Sequence, residues 1–181
     1  VLELTRAGNK PGVAEALSST GIALRLIDDA WTELRRSPFV QQRLGVAPVR
    51  LPDVSLSETE RKSRVGQSLL QRADAIDLNA LPHDLALTVR LVRFRARIWA
   101  QEINWYWTTI DPLGVGLFGM FLPTAYCGGY LLNFINNQLA AFQFEQLGDC
   151  DRYCGLVADY AQLVDQFTAR TLGQAERGMR M

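Results

Sequence analysis

PLGVGLFGMFLPTAYCGGYLLNFINNQLAAFQF, residues 112–144, contains no Asp, Glu, Lys or Arg and is bracketed by Asp111 and Glu145. The flanking sequence carries charge at ordinary density, so this stretch is expected to be the buried centre of the domain. An apolar run of this length also raises a membrane span, which needs ~20 predominantly apolar residues. Gly114, Gly116, Gly119, Gly128, Gly129 and Pro123 argue against one, because they interrupt a helix. Asn133, Asn136, Asn137 and Gln138 argue the same way, since amides are costly in lipid unless protein groups meet them. The expectation is a glycine-rich, irregular, buried crossing and no membrane span.

Helical patterns lie on both sides of it. Downstream, Asp149 to Arg177 reads as an amphipathic helix with Tyr153, Leu156, Val157, Tyr160, Leu163, Val164, Phe167 and Leu172 on a broad apolar face, capped by Asp149 or Asp151. Upstream, Pro82 to Thr108 reads as one long helix, with proline welcome in its first turn. Arg90, Arg93 and Arg97 form a row on it, expected to pair with carboxylates of neighbouring helices. Further upstream, Ser57-Glu58-Thr59-Glu60 resembles a capping box opening a helix with Val65, Leu69, Ala73 and Ile76 on one stripe. Asp77-Leu78-Asn79 interrupts that helix. From about Thr20, Ile22, Leu26, Ala30 and Leu34 mark a first helix, widened by Trp31 and ended by Ser37-Pro38. A short turn of helix from Phe39 stops at Gly45, and residues 46–54 form a link. Residues 1–20 read as an irregular arm and 21–181 as one helical domain. No convincing β-alternation occurs, so the expected fold is all-α: a bundle of about six helices around one irregular segment.

Composition excludes more than it selects. Lys plus Arg and Asp plus Glu both number 19, so no net field draws nucleic acid or an anionic surface. Trp105, Tyr106 and Trp107 beside the arginine row give a nucleic-acid reading some aromatic support, but the charge balance weighs against it. Cys127, Cys150 and Cys154 are too few for a disulfide scaffold and fit a reducing, cytoplasmic compartment as buried, inert thiols. The chain opens at Val1 with no basic-then-apolar leader, and either end is expected to be cut from a longer protein.

Catalytic patterns are missing. His83 is the single histidine, beside Asp84 in a helix first turn, and reads as a surface residue. There is no HExxH, CxxC or GxSxG. Gly114–Gly119 looks like a phosphate loop, but has neither a preceding strand nor a following Lys-Ser/Thr. Asp28-Asp29 reads as a solvated helix face. No catalytic or metal-binding residue is assigned. For a ligand, the place to look is Tyr126-Cys127-Gly128-Gly129-Tyr130, where glycines admit close backbone approach and tyrosine hydroxyls rim an apolar pocket. Trp105, Tyr126 and Tyr130 are the candidate ligand-binding residues, although a plain turn between buried segments explains the same glycines.

Several stretches carry a likeness to a known family: LRRSPFVQQRLG (34–45), LPDVS (51–55), LLQRADAIDLNALPHDL (69–85), the aromatic end of the long helix, and DRYCGLVADYAQLVDQFTARTLGQAERGMRM (151–181). In that order they resemble the N-terminal half of the bacterial domain of unknown function 885 family, whose members resemble α-helical zinc-dependent peptidases. The likeness spans roughly residues 25–181 and is a pattern of helices and turns. It implies a hydrolase whose zinc-binding HE…GH-type motif lies downstream, so zinc would sit in a missing half or on a partner chain. The implied partners are that C-terminal half, a second subunit or a further copy of the chain, reached through an extensive apolar interface. Two other readings stand beside it. One is a stand-alone helical module binding a peptide, partner helix or small apolar ligand at Trp105, Tyr126 and Tyr130. The other is a membrane-associated helical protein.

Overall fold

The computed structural model describes residues 11–46, 49–110, 121, 132–133, 135–137 and 139–179. Among them the chain is all-α, without a strand: five helices have both ends described, α1 (Pro11–Arg35), α2 (Pro38–Arg43), α3 (Leu56–Asp74), α4 (His83–Ala100) and α5 (Gly148–Glu176), and the described residues between 132 and 140 are helical too. Single 3-10 turns occupy Leu78–Ala80 and Glu102–Trp105. Most of residues 112–131, the heart of the uncharged stretch, lies outside the described residues. Its described remainder includes buried Phe121, Ile135 and Leu139, but also Phe144, which is exposed.

Local chemistry sets the boundaries, and several differ from the sequence expectation. α1 begins at Pro11, so the supposed arm is helical from there on. α3 is capped by Ser55, not Ser57: the Ser55 hydroxyl accepts from Glu58 N at 3.2 Å, and Asp53 accepts from Ser55 N at 2.9 Å. The long helix expected to reach Thr108 ends at Ala100 and tightens into the turn at Glu102–Trp105. Asp77 accepts from Asn79 N and closes the step between α3 and α4. Gly45 and Gly178 end α2 and α5 with φ of 72° and 74°. There, Val46 N donates to Gln41 O and Met179 N to Gln174 O, a left-handed cap that glycine adopts without strain.

α1, α3 and α4 share one core of Ala23, Leu26, Ala30, Leu69, Ala73, Leu81, Ala86, Val89, Ala96 and Trp99. Its small residues let the helices approach closely. At Gly66 of α3 an added Cβ would lie 2.7 Å from the Trp99 carbonyl carbon, in contact with α4 backbone. The expected α1 stripe holds at Leu26, Ala30 and Leu34, which face the core, but Ala23 joins it in place of Ile22, and Ile22 and Trp31 stand exposed. Full burial of a leucine such as Leu26 contributes about 1.5–3 kcal/mol.

Ion pairs join these helices at their rims. Arg61 bridges Glu58 and Glu33, Arg72 meets Asp29 at 2.7 Å, and Arg93 meets Asp74. The Glu58 and Glu33 hydrogen bonds hold the Arg61 guanidinium above its ordinary pKa. Lys62 donates to buried Glu102 at 2.8 Å, and Ser63 accepts from Ile103 N, fastening the 3-10 turn to α3.

A second core forms on α5: Leu156, Leu163 and Phe167 pack with Val54 of the link and with Phe121, Ile135 and Leu139. Val157 and Leu172, expected on the apolar face, are 44% and 61% exposed. Asp151 and Asp149 both lie in the first turn of α5, at its positive end as expected, although the N-cap position is Leu147 and Asp149 makes no cap bond. Its carboxylate reaches back to accept from Glu145 N and Gln146 N at 2.9 and 3.0 Å, which holds its pKa below the usual carboxylate range.

Candidate functional site: a buried arginine clamp

On α5, Arg170 lies three residues after Phe167 and seven after Leu163, and Gln174 lies seven after Phe167. At helical spacing both occupy the centre of the apolar stripe. Both are nearly inaccessible, at 2% and 1% exposure. A cation in that position must be compensated by protein groups. Arg170 Nη1 donates to Val54 O at 3.4 Å, and Nη2 donates to Tyr106 O and, at 3.0 Å, to Thr109 O. The guanidinium also lies 4.2 Å from the Tyr106 ring centroid and 4.8 Å from that of Phe121. Aromatic faces add cation–π stabilisation in a desolvated setting.

Gln174 Nε2 donates to Trp107 O and, at 2.9 Å, to Phe121 O. One turn on, Arg177 lies 3.7 Å from the Trp107 ring centroid, and Gly173 leaves room for that ring beside the helix. The link is bound by the same helix face. Arg50 and Leu51 N donate to Asp159, Val54 N donates to Gln166 Oε1 at 2.8 Å, and Gln166 Nε2 donates to Asp53. α5 therefore holds the link before α3, the aromatic turn after α4 and Phe121 with side-chain hydrogen bonds to main-chain groups.

Burial pulls the Arg170 pKa down to about 10, still far above neutrality, so the group is a cation whose donors are directed at carbonyl oxygens. Burial likewise pushes the Tyr106 phenol up. Chemically the arrangement positions main chain.

Of the sequence-derived ligand trio, Trp105 alone is among the described residues. Trp105 stands 51% exposed at the end of the 3-10 turn, while Tyr126 and Tyr130 lie outside the described residues. Cys150 and Cys154, expected to be buried, are both exposed, and Cys127 lies outside the described residues. Of the arginine row, Arg93 pairs with Asp74, while Arg90 and Arg97 have no carboxylate partner among the described residues. His83 is exposed at the first turn of α4. Among the described residues no three His, Cys, Asp or Glu side chains gather to hold a metal ion, so these residues do not fit a zinc site. A shallow groove of about 200 Å³ lies between α1 and α3, lined by Asp29, Glu33, Arg36 and Arg72 among others. Ligand pockets commonly enclose ~300–1,000 Å³. Among the described residues no helix is long and apolar enough to cross a membrane.

The clamp escaped the sequence reading because Arg170 and Gln174 look like solvated residues. The available signal was their register: polar side chains at positions where the apolar stripe predicts leucine. Compared with protein-family models, curated proteins and solved structures, the chain matches none of them.

Proposed function

We propose that the chain is a helical scaffold, the N-terminal part of a zinc-peptidase-like hydrolase that lines or covers a substrate cleft without supplying the metal ligands. One observation carries this reading. Three stretches on which the family resemblance rests, residues 51–55, the aromatic end of the long helix and the helix from 151, converge on the buried Arg170 guanidinium. Such a clamp gives a cleft wall its rigidity, because backbone held by charge-assisted hydrogen bonds keeps its place when a neighbour binds or leaves. With a single histidine, the chain does not itself offer the donor set of an HE…GH-type site. In this reading the helices form a bundle of about six in a cytoplasmic protein, and zinc belongs to downstream or partner polypeptide.

The test is expression of the 181-residue chain alone and together with the coding sequence that surrounds it, followed by zinc analysis and a peptidase assay. Stoichiometric zinc and hydrolysis are expected only in the longer protein. Full activity from the isolated chain would sink the proposal, as would a longer protein lacking both zinc and hydrolysis.

A further inference from the structure

α4 has two apolar faces. One of them, Ala86, Val89, Ala96 and Trp99, is buried in the core with α1 and α3. On the opposite side Leu87, Leu91 and Phe94 stand 49%, 62% and 59% exposed, and half-buried Ile98 continues the row. Their four-three-four spacing is that of the a and d positions of a helix–helix seam. A single helix laid along α4 would therefore touch all four.

The flanks specify the occupant. With Leu91 and Phe94 as a and d, Arg90 and Arg97 take the g positions, and Thr88 and Arg95 take the e positions. No acidic residue occurs in α4 after Asp84. Charges at e and g choose the partner and its orientation. A second copy laid antiparallel is disfavoured because Arg90 and Arg97 would meet arginine at the facing g positions. Arg90 and Arg97 are fewer than the ~4–8 clustered basic residues that mark a helix for an anionic lipid surface. From this charge pattern we infer that the outer face of α4 docks an amphipathic helix of a partner protein, with apolar residues at four-three spacing and Glu or Asp beside them. The inference stands on α4 alone and does not depend on the hydrolase reading.

Two synthetic helical peptides with the same leucine seam, one flanked by Glu and one by Lys, are titrated against the full chain by fluorescence anisotropy. The Glu-flanked peptide should bind at least ~10-fold more tightly. Leu91→Asp should weaken it by ~10-fold or more, and Arg90→Glu with Arg97→Glu should invert the preference. Circular dichroism melts check folding, and the arginine pair, being exposed, keeps the test intact if Leu91→Asp unfolds. Equal affinities, no binding of the Glu-flanked peptide, or a preference that survives the charge reversal would each overturn the inference. So would a dimer of the chain abolished by Leu91→Asp, or phosphatidylserine vesicles binding this face where the Glu-flanked peptide does not.

Discussion

Arg170 shows how one side chain can decide where three segments lie. Its guanidinium is planar, with a fixed fork of donors, so it serves the carbonyls of Val54, Tyr106 and Thr109 at once. Arg170→Met keeps the volume but strands those carbonyls, and a loss of about 3 kcal/mol in urea unfolding is expected, with Arg170→Lys recovering part of it. Asp149 acts through hydrogen bonds to its ionised form. Its folded pKa is depressed, so its contribution is complete above the unfolded carboxylate value of about 4 and disappears as pH falls through the lower folded value. Thermal melts from pH 5 to pH 2 should therefore drop more steeply for the native chain than for Asp149→Asn. Equal slopes would show that the two backbone N–H bonds contribute nothing.

Among the elements, the contact of α3 with α4 depends on a missing side chain. A methyl at Gly66 meets main-chain atoms of Trp99 and Ala100, which cannot swing aside, whereas a methyl at Gly173 meets the Trp107 ring, which can. Gly66→Ala should lose about 1–3 kcal/mol despite its better helix propensity, and Gly173→Ala should lose less. Denaturant midpoints compare the two directly, and the reverse order would show that the α3–α4 spacing yields easily. Helix caps follow the same local logic. Ser55 and Ser57 both precede acidic residues three positions on, and the sequence alone favoured Ser57. The extended backbone of Ser55, whose N–H is held by Asp53, gave the cap to the earlier serine.

At the scale of the whole molecule, two cores are stitched by different chemistry. Small apolar residues close α1, α3 and α4, while α5 holds its surroundings with polar side chains directed at backbone. Removing one kind of stitch should therefore loosen one region. In Gln166→Ala, hydrogen exchange at Val54 N should accelerate, together with Leu51 N in Asp159→Ala, while amides in the middle of α3 and α4 keep their native rates. Uniform acceleration across all helices would mean that the two cores unfold as one unit. The scaffold proposal belongs to this scale too, since a rigid wall needs its link and aromatic turn fixed together.

Period and punctuation were enough for the sequence to determine the helical class, the break at Ser37-Pro38, the step at Asp77–Asn79, the stop at Gly45 and the apolar stripe of α3. Those features are local: proline geometry, Asx turns and 3.6-residue periodicity act within a few neighbours. Only the tertiary structure decided that Ile22 and Trp31 of α1 and Val157 and Leu172 of α5 face outward, that Cys150 and Cys154 are exposed, that Ser55 is the cap, and that Arg170 and Gln174 are interior. An arginine in an apolar stripe is stable only if distant carbonyls come to meet it. Whether residues 54, 106 and 109 do so is fixed by the packing of the chain and not by its order.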